Sequence, residues 1–384
     1  MNHNSQHRTE ISSAWREFIT AFKSLLCPSR LLFILVLLVL FVIQVARSDD
    51  SGQSEARILN SKNSSTETVL YYTLRNHTGK QTVDDYYGDL RDSPHTGLCE
   101  VKISPTGYRS LTSHLPFYVY DMNKAVETIK EFPEEKFWQA FEQAAEASGT
   151  NKVVLFVHGY NINFVQGCSR SAIFQQTLDE HSRLLLFSWP SAGALVSYTR
   201  DEADIEWSQQ SLETVIRKLM TIYGSKRLNI VAHSLGARGT VRVLQLIARE
   251  DDSKKINELV LLAPDIDADY FRSVFPDLKK IAHRISLYSS ENDQPLRLSS
   301  EVHGSPRLGE AGENLLVLKG MDTIDVSISG GREVTGHLYH IYNDNVRIDI
   351  GRLLSDGEAA AMRPNMKTLE KDGLPYWMLL PAEE

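Results

Sequence analysis

Apolar and polar positions alternate along the chain in blocks that predict strands and helices in turn. Continuous apolar runs, typical of strands buried on both faces of a parallel sheet, lie at 153–157, 184–187, 228–232, 259–263, 285–288 and 323–328. Stretches with helical spacing lie at 137–145, 162–180, 202–223, 237–249 and 346–354. Further strands are expected at 69–74, 98–103 and 117–120. This alternation predicts an α/β fold with a mostly parallel, doubly wound sheet.

The first part of the chain follows a different pattern and predicts a membrane anchor ahead of the folded domain. Residues 1–30 contain apolar positions at helical spacing and are expected to form a cytoplasmic amphipathic segment. Residues 31–46 are apolar except for Gln44 and predict an N-terminal transmembrane helix, with a cleaved signal peptide as the alternative. Residues 47–67 are polar and predict a linker, so the folded domain is expected to cover 68–384.

The charges that flank the apolar segment predict its orientation. Basic residues precede it, whereas Arg47 after it is followed at once by Asp49 and Asp50. The positive-inside rule therefore favours a single-pass protein of the inner membrane with its folded domain on the periplasmic or outer side. The net charge of −8 and the absence of a basic run argue against nucleic acid as a partner.

The three cysteines of the chain lack the spacing of metal ligands. Cys27 adjoins the apolar segment, which leaves Cys99 and Cys168. These two are a candidate disulfide pair in an oxidising compartment, and two separate free thiols are an equal alternative, so the sequence leaves the pairing open.

The chain is organised around residues 228–236, where an apolar run ends in Ala232-His233-Ser234-Leu235-Gly236 and a helical pattern follows. A strand that turns sharply into a helix exposes one side chain in a strained conformation, and only small neighbours permit this. The pattern is that of the nucleophile elbow of α/β-hydrolases, written G-x-S-x-G. Ala232 replaces the first glycine, which is tolerable if Ala232 keeps a negative φ. Ser234 is therefore the predicted nucleophile.

A serine hydroxyl needs a base to take its proton, and in this fold an acid and then a histidine follow the serine along the chain. Asp293, just after the strand at 285–288, is the predicted acid. Asp265 and Asp267 follow the preceding strand and are alternatives, which could instead cap a helix. His337, on a loop after the predicted last strand, is the predicted base, and His340 is the alternative.

Acyl transfer also needs two N–H groups that bind the oxyanion of the tetrahedral intermediate. The backbone N–H groups of Leu235, directly after the nucleophile, and of Tyr160, in the loop after the strand at 153–157, are the predicted donors. The residues expected to shape the elbow and the supporting loop are His233, Gly236, His158 and Gly159.

Several ordered motifs resemble those of a bacterial α/β-hydrolase family, domain of unknown function 900. In chain order they are FVHGYN (156–161) with Phe164, FSWPS (187–191) with Tyr198 and Asp201, AHSLG (232–236), APDID (263–267), YSSEND (288–293), RLG (307–309) and DTIDV (322–326). The resemblance spans roughly residues 70–345. It implies an α/β-hydrolase fold with Ser234, Asp293 and His337 in the places of the triad, and it implies no substrate.

The sequence therefore predicts a membrane-anchored serine hydrolase of esterase or lipase type. We expect it to cleave a carboxylic ester or thioester of a small molecule or lipid through an acyl-enzyme, with no metal and no cofactor. Two alternatives share the fold: a non-catalytic scaffold or binding protein, and an acyltransferase that uses the same triad. The sequence predicts no oligomeric state.

Overall fold

The computed structural model describes residues 65–103, 124–147, 151–193, 197–250, 255–329 and 335–382. The predicted amphipathic segment, the predicted transmembrane helix, most of the linker and the strand candidate at 117–120 lie outside these residues. Within the described residues, no helix combines the length and the apolar character needed to cross a membrane.

The strands of the described residues form one eleven-stranded sheet. They are β1 (Ser65–His77), β2 (Tyr87–Ile103), β3 (Lys124–Phe132), β4 (Lys152–Val157), β5 (Ser182–Ser188), β6 (Leu228–His233), β7 (Ile256–Leu262), β8 (Ala282–Ser289), β9 (Asp322–Asp325), β10 (Met366–Lys371) and β11 (Leu374–Leu379). Their order in the sheet is β10-β11-β9-β8-β7-β6-β4-β5-β1-β2-β3. The strands from β11 to β1 in this order are parallel, and β10, β2 and β3 add antiparallel edges.

Helices cover both faces of the sheet. In the described residues they are α1 (Glu134–Ala147), α2 (Phe164–Gln175), α3 (Tyr198–Trp207), α4 (Gln209–Tyr223), α5 (Leu235–Glu250), α6 (Ala268–Ile281), α7 (Gln294–His303), α8 (Tyr339–Tyr342) and α9 (Asp344–Asp356). One apolar core lies between the sheet and α1, α4, α5 and α6, and a second lies between the sheet and α2 and α9. The predicted doubly wound, mostly parallel sheet is confirmed.

Several element boundaries differ from the prediction, and the break in the expected helix at 202–223 has a local reason. The expected helix at 202–223 is two helices, α3 and α4, with Ser208 between them. The hydroxyl of Ser208 donates to the carbonyl of Asp204 (2.7 Å), a back-bond of the kind that bends helices. At the other end of the domain, β1 begins at Ser65, so Ser65–Glu67 belong to a strand although the sequence placed them in the linker.

The predicted last strand at 323–328 ends early and is not the last. Strand β9 stops at Asp325, whose carboxylate accepts from the N–H (2.9 Å) and hydroxyl groups of Ser327 and so begins a turn. The chain then continues to the hairpin of β10 and β11. Asp372 and Gly373 form its turn with φ values of +53° and +74°, as a two-residue hairpin turn requires.

A disulfide joins Cys99 on β2 to Cys168 on α2, with their Cα atoms 6.5 Å apart. Both side chains are fully buried. The bond ties the antiparallel edge of the sheet to a helix that follows the central strand β4. The structure thereby selects the paired state of the two that the sequence left open.

Glu258 on β7 makes the stability of the fold depend on pH. Its side chain is buried and lies 3.4 Å from Arg284 Nη1, and burial raises its pKa to about 7. The folded protein therefore binds one more proton than the unfolded chain between the ordinary pKa of a glutamate and about 7. Stability must fall as pH rises through this window, by on the order of 3 kcal/mol in total.

We expect Glu258→Gln to flatten this pH dependence, because glutamine fills the same space without a titrating group. The free energy of unfolding, measured in urea from pH 4.5 to pH 8, tests this. Glu250→Gln, at an exposed glutamate that pairs with Arg217, is the control and should keep the slope of the unmodified protein. Parallel curves for Glu258→Gln and the unmodified protein would contradict the assignment.

Candidate active site

Ser234 lies in the turn between β6 and α5 with a φ of +54°, in the left-handed region that residues other than glycine rarely adopt. Neighbouring backbone groups hold this conformation. The N–H of Ser234 donates to the carbonyl of Leu262 (3.0 Å), and its carbonyl accepts from the N–H groups of Ala237 (3.1 Å) and Asp265 (3.3 Å). Ala232, in the place of the first glycine of the motif, lies within β6 and does not have a positive φ.

Two glycines let the loop after β4 approach the elbow. A β-carbon at Gly159 would lie 2.8 Å from Ser234 Cβ and 2.5 Å from His233 Nδ1. A β-carbon at Gly236 would lie 2.3 Å from the carbonyl oxygen of His158. Neither separation is possible for real atoms, so glycine is required at both positions. The sequence motifs indicated both glycines, and the structure gives the steric reason.

His337 and Asp293 form a hydrogen-bonded pair. His337 Nδ1 lies 2.7 Å from Asp293 Oδ2, and both side chains are buried. The other oxygen of Asp293 accepts from the N–H of Leu296 (2.9 Å), since Asp293 is also the N-cap of α7. Gly336 has a φ of +69°, and a β-carbon there would lie 2.2 Å from the carbonyl oxygen of Asn292. The loop that carries His337 is therefore packed directly on the segment that carries Asp293.

His233 links this pair to the elbow. Its Nε2 donates to the carbonyl oxygen of His337 (3.2 Å), and the two ring centroids lie 4.6 Å apart. His233 directly precedes Ser234, so this contact brings His337 against the residue next to the nucleophile candidate. Burial, with smaller contributions from His340 and His337, lowers the pKa of His233 well below its usual range, so the ring is neutral.

The alternative base, His340, and the alternative acids, Asp265 and Asp267, make other contacts. His340 is buried in α8 with its ring centroid 4.3 Å from that of His233. Asp267 caps α6 by accepting from the N–H of Tyr270 (2.8 Å), the structural role that the sequence gave as its other interpretation. Asp265 is buried, lies 3.3 Å from Arg307 Nε, and accepts from the hydroxyl groups of Ser299 (2.7 Å) and Tyr198.

The imidazole of His158 braces the loop after β4. Its ring stacks on Trp189 with centroids 5.0 Å apart, and the indole N–H of Trp189 donates to the His158 carbonyl (2.8 Å). His158 Nδ1 bonds to the carbonyl oxygen of Gly159 (2.8 Å). Burial, reinforced by the charge of Arg75, lowers the pKa of His158 to about 3. The ring is therefore neutral at physiological pH and donates its Nδ1–H to the carbonyl oxygen of Gly159.

A buried charged network fixes the rest of this loop. The N–H of Asn161, which has a φ of +58°, donates to Asp201 (3.2 Å), and the N–H of Ile162 donates to Ser191 Oγ (3.1 Å). Arg75 is fully buried and donates to the carbonyl oxygens of Ile162 (2.6 Å) and Ser191 (2.9 Å). Burial lowers the pKa of Arg75 to about 10, so it remains charged at neutral pH.

Sequence reasoning missed this network. The resemblance included Asp201 without giving it a role, and the predicted first strand ended at residue 74, one position before Arg75. The sequence offers only a weak signal: Arg75 directly follows the apolar run at 69–74, and an arginine there is either solvated or, when buried, compensated by polar partners.

Comparison with known proteins identifies a family. The model of the family described as "Alpha/beta hydrolase of unknown function (DUF900)" matches residues 134–354, more than half of the chain. An uncharacterised protein of Nostoc sp. is 20% identical over 206 residues, which are 45% of this chain and 54% of that protein. The chain thus matches about half the length of this relative.

Two solved structures are distantly similar to this chain. A predicted CIB-like hydrolase from Thermoplasma acidophilum is 12% identical with a TM-score of 0.34, over 77% of this chain and 98% of its own. An esterase from Pyrobaculum calidifontis is 10% identical with a TM-score of 0.35, over 82% of this chain and 93% of its own. The family match, rather than these likenesses, is the comparison that bears on the fold.

We expect Gly236→Ala to destabilise the fold by about 1–3 kcal/mol, because its methyl group would overlap the backbone carbonyl of His158, which cannot move without the strand. Gly167→Ala is the matched control. It lies inside α2, where the nearest atoms to its methyl would be side-chain methyl groups, the closest of them on Leu186 at 3.3 Å. Urea unfolding should show the loss for the first variant and little change for the second. Equal stability of both would contradict the close approach.

Proposed function

Because the chain belongs to the family of alpha/beta hydrolases of unknown function, we propose that it is a membrane-anchored serine hydrolase that cleaves carboxylic ester or thioester bonds. One observation carries this proposal. The hydrogen bond between His337 Nδ1 and Asp293 Oδ2 (2.7 Å) lies beside the elbow that holds Ser234 with a φ of +54°. A nucleophile, a base and an acid that orients the base are the three parts that serine catalysis requires.

We propose a reaction in two stages, acylation of the serine and then hydrolysis of the acyl-serine. Ser234 Oγ attacks the acyl carbon while His337 Nε2 takes the hydroxyl proton, and the carbonyl oxygen becomes an oxyanion. The intermediate collapses as His337 returns the proton to the leaving alcohol or thiol, which leaves an acyl-serine. Water then attacks the acyl-serine, with His337 again as base, and releases the acid and the free serine. Asp293 holds the proton on Nδ1, so that Nε2 is the basic nitrogen.

The backbone N–H groups of Leu235 and Tyr160 are the proposed oxyanion donors. Such donors accelerate acyl transfer only if they are fixed before the reaction begins. The loop that carries Tyr160 is held by Asp201 and Ser191 through the N–H groups of the next two residues. Arg75 and Asp201 are therefore proposed as positioning residues for the oxyanion site.

We propose esters and thioesters rather than amides as substrates, because an amide bond is harder to cleave with the same catalytic residues. The predicted anchor at 31–46 places the domain at a membrane surface, which suits a small ester or a lipid ester as substrate. The flanking charges and the disulfide between Cys99 and Cys168 support a location on the periplasmic or outer side of the inner membrane, since disulfides persist in oxidising compartments.

We expect the full chain, purified in detergent, to hydrolyse p-nitrophenyl esters of graded acyl length, and Ser234→Ala to lower turnover by at least about 10³-fold. The dependence of turnover on acyl length reports the depth of the acyl pocket. Analysis of products with an added alcohol separates hydrolysis from acyl transfer. A folded protein that turns over none of these esters, or turns them over equally well without Ser234, would contradict the proposal and favour a scaffold.

We expect Asp293→Asn to lower kcat by about 10⁴-fold, because the amide no longer fixes the proton on His337 Nδ1. Asp267→Asn is the matched control, since asparagine caps a helix as well as aspartate does. Steady-state kinetics on a p-nitrophenyl ester measures both variants. A larger loss in the control than in Asp293→Asn would assign the acid to the alternative position.

We expect alkaline phosphatase fused after residue 384 to be active in intact bacteria, because it folds only where disulfides form. A fluorescent protein that matures in the cytoplasm, fused at the same position, is the matched reporter and should stay dark. The opposite pair of results would reverse the proposed orientation and leave the catalytic assignment untouched.

A further inference from the structure

Two histidines and one glutamate converge on the antiparallel ribbon of β1, β2 and β3, and β1 lies three positions along the sheet from the elbow strand β6. His77, His95 and Glu131 each offer one donor atom, and these atoms all lie within 4.8 Å of one another. We propose that these three side chains bind a divalent transition-metal ion, with zinc preferred. The inference is independent of the proposed hydrolase activity.

The backbone brings the three side chains together from three strands. In the pairing of β2 with β3, Glu131 lies opposite Gly97, so Glu131 and His95 are diagonal neighbours on one face. His77 reaches them through two register shifts in the pairing of β1 with β2, between Thr73 and His77. Bulges of this kind re-aim side chains and recur next to functional sites.

The donor geometry suits a small ion after minor side-chain rotation. Zinc binds imidazole nitrogen and carboxylate oxygen at about 2.0–2.2 Å, which sets its tetrahedral donors about 3.3 Å apart. His77 Nε2 and Glu131 Oε1 lie 2.5 Å apart, and the ring centroids of His77 and His95 lie 4.3 Å apart. The side chains of His77 and Glu131 are 38% and 32% exposed, so both have room to open around an ion.

Polar groups around the three donors match the outer partners of metal sites. The hydroxyl of Tyr87 donates to Glu131 Oε1, and Tyr71 Oη lies 3.2 Å from Tyr87 Oη. Asp92 Oδ2 lies 3.5 Å from His95 Nε2. Such partners fix the orientation of ligands and raise their basicity. The carboxylates of Asp92 and Glu131 also supply negative charge for a cation.

A set of two imidazoles and one carboxylate is typical of zinc and related transition-metal ions rather than of calcium or magnesium, which prefer oxygen donors. Three protein ligands leave a fourth position for water. Since the ligands come from three strands, the bound ion would cross-link the ribbon that carries Cys99 and Arg75. An ion that binds only the folded state must raise its stability.

The test titrates ZnCl₂ into the full chain in detergent, without a histidine tag, by calorimetry and by thermal unfolding. We expect one saturable site and, at about a hundred times the Kd, a rise in Tm of about 4 °C that EDTA reverses. His95→Gln should weaken binding by at least about tenfold and remove the Tm rise, while leaving the contact between His77 and Glu131 intact.

Two further variants keep the test decisive. Glu131→Gln preserves a hydrogen-bond acceptor for Tyr87 and should also lose the zinc-dependent rise in Tm. His181→Gln, at an exposed histidine beside Glu180, should bind zinc as the unmodified protein does. No saturable binding, or binding that His95→Gln and Glu131→Gln leave unchanged, would overturn the proposal and reduce the cluster to an ion pair.

Discussion

The backbone conformation of Ser234 is the constraint on which the rest of the site depends. A positive φ at a residue with a side chain costs about 1–3 kcal/mol and persists only when its surroundings enforce it. Here the carbonyl of Leu262 and the N–H groups of Ala237 and Asp265 enforce it. The turn also brings the elbow so close to the loop after β4 that only glycine fits at positions 159 and 236. The loop after β4, which carries the proposed oxyanion donor Tyr160, is therefore packed directly on the turn that holds Ser234.

Features that depend on local sequence were the ones that sequence reasoning predicted. The apolar runs specify strands of a parallel sheet, and the small residues around Ser234 specify the turn. Asp293 and His337 were proposed from the order of elements in the fold, and the structure joins these two by a hydrogen bond. The hairpin of β10 and β11 was missed although its Asp372-Gly373 turn is a strong local signal, because the last strand had already been assigned upstream.

Distant pairings that no motif or known order of elements indicates could not be derived from the sequence. Arg75 lies 126 positions before Asp201, and only the fold brings both to the loop that contains Asn161. The same holds for the disulfide, since spacing alone did not decide whether Cys99 and Cys168 pair. His77, His95 and Glu131 come from separate strands, and register shifts, which the sequence pattern did not reveal, bring them together. Long-range polar clusters are thus where the structure adds most.

The central claim is that Ser234 is an activated nucleophile, and covalent labelling tests it without knowledge of the substrate. The full chain in detergent would be treated with a fluorophosphonate, and the adduct located by mass spectrometry of its peptides. The account predicts one phosphonyl group on Ser234, lost in His337→Gln although that variant keeps the serine. No adduct in the folded protein, or an adduct on another serine, would contradict the account and leave an α/β-hydrolase fold without serine catalysis at this site.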